Sequence, residues 1–391
     1  MKRLFLTGGK LLIDGSVQNA SLLIENGKIA AILPPDAPAP ADAECLDAAG
    51  RYVSPGFVDI HQHGGGGCDY MDIHPDTYLQ ILSTHLAHGT TSVMPTLLSA
   101  SVESTIAAVK QYVRALSDAR IHSNILGLHV EGLYISPMQA GAQNPDCIKG
   151  FQPAEYHAIC EAAEGHLKRW SVAPELPGAR EFAAFADKNG ILLSIAHSDA
   201  DFDTVVTAFD WGYRHVTHLY SGMSTVSRKG GFRIAGVLEA AYYLDGMDVE
   251  IIADGCHLPH SLLKLVQKLK RPERIALITD AMRAAGQDVT ESTLGSGADA
   301  MKVIIEDGVA KLPSREAFAG SIATADRLVR TMVLAGTPVA EAVRMASEYP
   351  LRMMHCPEKK GKICVGYDAD LCLFDDAINV SAVLVRGEIV A

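Results

Sequence analysis

The sequence predicts an α/β fold: a (β/α)8 TIM-like barrel carrying a small β-sandwich domain built from both chain termini. Three observations predict it. Eight short apolar runs alternate with amphipathic segments through the middle of the chain, and both ends are rich in strand and hairpin signals. Metal-type side chains also recur where the apolar runs end.

Residues 1–55 read as short strands joined by tight turns, with Leu4 to Leu6 and Leu11 to Ile13 apolar. In Ser21-Leu-Leu-Ile-Glu-Asn-Gly-Lys-Ile-Ala-Ala-Ile32 the pair Asn26-Gly27 separates two apolar runs. That dipeptide is the strongest short-range hairpin signal, because a type I′ turn needs positive φ twice. The tail has the same texture in Ala369-Asp-Leu-Cys-Leu-Phe374 and in Val383 to Val390 around Arg386-Gly387.

Between these ends the strand candidates are Gly56–Ile60, Thr91–Leu97, Ile125–Val130, Trp170–Ala173, Ile191–Ala196, His215–Leu219, Val249–Ala253 and Ile275–Thr279. Val102–Leu116 and Leu262–Leu269 are amphipathic segments lying between them. This alternation predicts a closed parallel barrel, with a doubly wound sheet as the alternative. Glu291 to Pro313 breaks the alternation and reads as a hairpin inserted late in the barrel. The chain divides into a β-sandwich domain over 1–55 and 359–391 and a catalytic barrel over 56–358.

With 391 residues, 48% of them hydrophobic, the chain is long enough to build both units. A net charge of −12 gives no support to nucleic-acid binding. It leaves room for an anionic metabolite, since a local Arg and His pocket overrides the global sign. No apolar run approaches the roughly 20 residues of a membrane span. The N-terminal apolar stretch is cut short by Thr7 and Gly8, so no secretory signal is expected. The eight scattered cysteines read as thiols in a reducing compartment, with the cytoplasm as the expected location.

Candidate chemistry sits at the ends of the apolar runs. Phe57-Val-Asp-Ile-His61-Gln-His63 places two imidazoles on one face of a strand, and Gly64-Gly-Gly-Gly67 follows. The third run exits on Glu131, the fifth on His197, the sixth on His218 and the eighth on Asp280. One such residue after an apolar run is more often a cap or a hydrogen-bonded structural group, and His85, His88, His122 and His129 are read that way. Six residues at strand ends in one barrel pattern point instead to a divalent-metal site.

The series His-x-His, strand-3 Glu, strand-5 His, strand-6 His and strand-8 Asp resembles the amidohydrolase superfamily. Within it, Gly127-Leu-His-Val-Glu-Gly132, Val172-Ala-Pro-Glu175, Thr217-His-Leu-Tyr220, Ala253-Asp-Gly255 with His257, Thr279-Asp-Ala281 and Ala319-Gly-Ser321 resemble the N-acetylglucosamine-6-phosphate deacetylases. Relatives of the dihydroorotase and hydantoinase type usually use a strand-4 lysine; Ser171 to Glu175 contains none, and Lys168 falls just before it.

The resemblance implies Glu131, His197 and His218 as ligands of a principal ion, with His61 and His63 holding a second. It implies Asp280 as general base and acid with a metal contact of its own. One or two divalent ions are expected, zinc or iron foremost, with manganese or cobalt as further options. Ala142, Ser221, Gly222, Phe318, Ala319 and Gly320 match segments that contact the sugar, and His257 matches a substrate-binding histidine. Arg228 is the best match for a phosphate-binding arginine that reaches across a dimer, with Lys229 and Arg233 left open, so a homodimer is implied.

Three departures alter the substrate shell: Gly132-Leu-Tyr134, Gln143 where the family has histidine, and Ser221-Gly222. Gln143 donates a neutral hydrogen bond and never a charged one. The expected reaction is hydrolysis of the N-acetyl amide of N-acetylglucosamine 6-phosphate. The alternatives are the N-acetylgalactosamine 6-phosphate epimer, another N-acyl amidohydrolase such as an N-acyl amino acid deacylase, and a non-catalytic sugar-phosphate-binding protein.

Overall fold

A computed structural model describes residues 3–356 and 359–391. Eight parallel strands form the central barrel: β1 Phe57–Gln62, β2 Thr90–Leu97, β3 Leu128–Glu131, β4 Leu167–Val172, β5 Leu192–Ile195, β6 Tyr213–Val216, β7 Asp248–Ile251 and β8 Ile275–Leu277. They pair in chain order. Each coincides with one of the eight apolar runs. Between β8 and β1 the wall is held by the Asp280 amide, which donates to the His61 carbonyl at 3.0 Å. The Thr279 amide adds a bond to Asp59 Oδ1 at 3.2 Å.

A helix follows every strand: α1 Thr77–Leu86, α2 Val102–Ala115, α3 Pro153–Ala162, α4 Ala179–Lys188, α5 Phe202–Asp210, α6 Val237–Tyr243, α7 His260–Leu269 and α8 Ala325–Leu334. In α2 the Ser101 side chain accepts from the Ser104 amide, Glu103 stands in the first turn and Arg114 in the last. Those signs complement the helix dipole. Thr105, Ala108, Val109, Tyr112 and Ala115 recur at helical spacing and are buried against the barrel.

The packed layer between strands and helices includes Trp170, fully buried, with Phe182 and Tyr134 5.1 and 5.9 Å away between ring centroids. Trp170→Ala is expected to cost about 3–5 kcal/mol, read as a lowered denaturant midpoint. An unchanged midpoint would show that this ring lies outside the cooperative core.

The two chain ends meet in one eight-stranded sheet. Leu371–Phe374 lies antiparallel to Tyr52–Pro55, which joins the tail to the N-terminal strands. The sheet has an apolar core of its own, centred on Leu6, Leu11, Leu22, Val53, Leu371 and Leu384. Asn26 and Gly27 take φ of 51° and 78° between Glu25 and Lys28, as the turn signal requires. A Cβ on Gly27 would lie 2.7 Å from the Arg386 carbonyl of the second turn.

Two local expectations are revised. The apolar runs at Leu4 and Leu11 belong to one strand, Arg3–Ile13, whose register shifts between Leu6 and Gly9. The late insertion is a three-stranded meander, Glu291–Leu294, Met301–Glu306 and Val309–Lys311. Its last turn, Asp307-Gly308, is a hairpin signal of the Asn26-Gly27 kind. The boundary expected at 358/359 falls on residues 357–358, outside the described residues. The eight cysteines are free thiols, and no described helix is long and apolar enough to cross a membrane.

Candidate metal centre and active site

Each candidate ligand stands at or just past the C-terminal end of its strand. Glu131 is the last residue of β3, while His63, His197, His218 and Asp280 lie one to three residues beyond β1, β5, β6 and β8. Three of them leave the strand in the left-handed region, His197 at φ 45°, His218 at 24° and Asp280 at 47°. Such backbone costs on the order of 1–3 kcal/mol per residue and persists where its surroundings fix it. Here the Ser136, Ser221 and Ser321 amides donate to the His197, His218 and Asp280 carbonyls. Gly222 is fixed by the same site: a Cβ there would lie 2.8 Å from His197 Nδ1.

These turns bring the side chains together. Glu131 Oε1 lies 2.8 Å from His218 Nε2, 3.4 Å from His61 Nε2 and 3.7 Å from His197 Nε2. Glu131 Oε2 lies 3.3 Å from His63 Nε2, which is 3.1 Å from Asp280 Oδ1. The two Nε2 atoms of His61 and His63 are 3.2 Å apart.

The Nδ1 atoms show why a cation belongs there. His63 Nδ1 is bonded to the Thr96 carbonyl at 3.1 Å, His197 Nδ1 to Gln139 O at 2.8 Å and His218 Nδ1 to Ser221 O at 3.1 Å. His61 Nδ1 faces Glu250 Oε2 at 3.0 Å. Those acceptors hold a proton on every Nδ1, so an ion that displaces the Nε2 protons would meet four Nε2 lone pairs and two carboxylates in one small volume. Ligands on a tetrahedral zinc with bonds of about 2.0–2.1 Å sit about 3.3 Å apart, within the range of separations found here.

The local field has the same sign. Burial opposes protonation of His61, yet the Glu131 and Glu250 charges raise its imidazole well above the ordinary value. Burial is likewise outweighed at His63, which Asp280 and Glu131 raise to about 9. Burial would push the Glu131 carboxyl up, but the His61 charge and hydrogen bonds from His218, His61 and His63 hold it well below the carboxylate range. Two groups of candidate ligands follow, His61 with His63 and Asp280, and His61 with Glu131 and His218.

His63, Glu131, His197, His218 and Asp280 form the floor of a cavity of about 310 Å³, with His61 buried behind them. Of the residues expected around a substrate, Ala142, Gln143, Ser221, Gly222, His257, Phe318 and Gly320 line it. Ala319 is fully buried, outside the lining. Arg228 is not brought into the cavity: it stands on an exposed hairpin, Ser227–Lys229 paired with Phe232–Ile234. The lining contains no lysine or arginine among the described residues.

Gln143 reaches the metal-type cluster itself, its Nε2 donating to Glu131 Oε2 at 3.1 Å while its Oε1 accepts from the Ser99 amide at 2.9 Å. His257 Nδ1 bonds Asp254 Oδ2 at 2.9 Å, and its ring lies 4.7 Å from that of Phe318.

Further polar residues surround the site. His129, read as structural, bonds Thr96 Oγ1 and Ser171 Oγ at 3.0 and 2.6 Å inside the barrel. His85 bonds the Gly64 carbonyl at 2.9 Å, and His88 faces Asp326 at 3.4 Å. Glu250, Arg169, Asp59 and Asp254 are buried beside the site as well. Asp59, Arg169 and Glu250 are charged residues inside barrel strands, and Asp254 follows the apolar run Val249–Ala253. Burial pushes the Asp59 carboxyl up to about 6 against hydrogen bonds from Thr279, His61 and Gln62.

This barrel and its strand-end residues define an amidohydrolase, and the chain belongs to that family: the amidohydrolase family model matches residues 52–390. The N-acetylgalactosamine-6-phosphate deacetylase of Escherichia coli O157:H7 is 32% identical over 96% of each chain. The N-acetylglucosamine-6-phosphate deacetylase of Bacillus subtilis (strain 168) is 30% identical over 95% of this chain and 93% of its own. The Mycobacterium smegmatis N-acetyl-D-glucosamine-6-phosphate deacetylase, solved in complex with N-acetyl-D-glucosamine-6-phosphate, superposes with a TM-score of 0.90 at 29% identity, covering 100% of this chain and 99% of its own. Within the amidohydrolases, the chain belongs to the N-acetylglucosamine-6-phosphate deacetylase family.

Proposed function

We propose that this chain hydrolyses the N-acetyl amide of a phosphorylated amino sugar, releasing acetate and the free amine. N-acetylglucosamine 6-phosphate is the first substrate to assay and its galacto epimer the second, since relatives of both names match at similar identity. The observation that carries the reading is the convergence of Glu131, His197, His218, His63 and Asp280 on the cavity floor, with His61 buried directly behind them.

In this reading Glu131, His197 and His218 hold one divalent ion, and His61 and His63 with Asp280 hold another. Zinc or iron is favoured, with manganese or cobalt as further options. A bound divalent ion lowers the pKa of its water toward ~7 and polarises the amide carbonyl. Asp280 supplies the proton transfers. Burial would raise its carboxyl, but the His63 hydrogen bond and the His61, His63 and His218 charges hold it below its ordinary value. It is therefore ionised at rest, takes a proton from the attacking water and delivers it to the amine nitrogen as the C–N bond breaks.

The phosphate needs a cation that the cavity lacks, and Arg228 on its exposed hairpin is proposed to supply it to a partner subunit in a homodimer. Arg228→Ala is expected to raise KM for the phosphorylated sugar by about 10–100-fold, the worth of a charged hydrogen bond of about 1.5–3 kcal/mol. Hydrolysis of the unphosphorylated sugar should stay unchanged. Equal effects on both substrates would remove Arg228 from the phosphate site.

The separate apolar core of the terminal sheet supports a two-domain division, with the β domain over 1–55 and 359–391 and the catalytic barrel over 56–358. A cytoplasmic location completes the proposal. The direct test is acetate release from phosphorylated and free N-acetyl hexosamines and from N-acetyl amino acids. Turnover of the phosphorylated sugars well above that of the free sugars is expected, and turnover confined to N-acetyl amino acids would overturn the reading.

A further inference from the structure

Beneath the metal-type cluster lies an ion pair that none of the steps above uses. Glu250 of β7 and Arg169 of β4 are both fully buried, and their charged groups are in direct hydrogen-bond contact. Arg169 is held from two further sides: its Nε donates to Ser194 Oγ at 2.7 Å and its Nη1 to the Ile60 carbonyl at 3.3 Å. The two oxygens of Glu250 are divided between tasks. Oε1 takes the guanidinium, with His215 Nε2 3.4 Å away, and Oε2 accepts from His61 Nδ1 at 3.0 Å. Of the four clustered imidazoles, His61 is the one oriented by a carboxylate, whereas the other three lean on main-chain carbonyls.

A buried ion pair is a poor device for stability, because an apolar pair of similar volume is often as stable or more so. The role of this pair lies in what it holds. A carboxylate behind a ligating imidazole fixes the ring and raises its basicity as a donor. His61 is also the ring shared between the two candidate ligand groups, 3.4 Å from Glu131 and 3.7 Å from Asp280.

We infer that Glu250, braced by Arg169, is a positioning residue that makes the His61–His63 side of the centre a second metal position. Loss of its carboxylate converts a two-ion centre into a one-ion centre. The inference rests on the metal-dependent reading above.

The test titrates Co²⁺ into metal-free, full-length protein, followed by calorimetry and visible absorption. Wild type is compared with Glu250→Gln, with the double variant Arg169→Met/Glu250→Leu, and with His61→Asn. The double variant leaves neither member of the pair as an orphaned buried charge, which guards against a simple folding failure.

Wild type is expected to bind two equivalents. In both Glu250 variants the second equivalent weakens by about 10–100-fold, while the first keeps its affinity and its absorption. His61→Asn shows the same selective loss, and adding Glu250→Gln to it weakens nothing further. Two equivalents bound at wild-type affinity by the Glu250 variants would overturn the inference, and so would equal weakening of both. A wild type that binds one equivalent contradicts the second position. A wild type that takes up no cobalt overturns the metal-dependent reading itself.

Discussion

Asp280→Asn is expected to lower kcat by about 10²–10⁴-fold, the range general acid–base catalysis supplies, while the protein still takes up metal. The substitution keeps the shape of the side chain and its place past β8, where its amide bonds the His61 carbonyl. It removes the ionised oxygen that lies 3.1 Å from His63 Nε2, and an amide cannot carry a proton from water to the departing nitrogen. Steady-state kinetics beside metal analysis separates the outcomes. Near-normal kcat with full metal content would take Asp280 out of the acid–base role, and loss of metal would make it chiefly a ligand.

Glu131→Ala is expected to have the broader effect, removing both metal uptake and turnover. The two oxygens of Glu131 face different sides of the cluster, Oε1 toward His218, His61 and His197 and Oε2 toward His63. Without that carboxylate the four imidazoles lose their central negative partner. The loss should exceed the roughly 10–100-fold typical of an outer-shell partner. Metal content measured after dialysis checks it: retention of both equivalents would place the binding site elsewhere.

The barrel strands were legible because most of their residues are buried, so each carries a short apolar run bounded by polar turns, even where a charge such as Asp59 or Glu250 interrupts it. The residues at their ends were legible for the related reason that a histidine or carboxylate interrupts such a run where the strand meets the cavity. His61, His63, Glu131, His197, His218 and Asp280 all follow that rule. The barrel interior was not legible in the same way. Arg169 follows Lys168 in β4 and Glu250 stands two residues after Asp248 in β7, and nothing local shows that Arg169 and Glu250 meet across the barrel. Gln143 was expected to face substrate, and its bond to Glu131 depends on a loop fold that no periodicity encodes. The placement of the Arg228 hairpin outside the cavity likewise follows from tertiary structure.

The proposed hydrolysis depends on divalent ions lying among side chains drawn from five strand ends. Anomalous diffraction from crystals of the purified protein, recorded at the absorption edge of the metal it carries, tests this most directly. One peak within bonding distance of Glu131, His197 and His218, and a second beside His61 and His63, is the predicted result. A map with no peak at the cavity floor, from crystals that hold metal elsewhere or none at all, would contradict it.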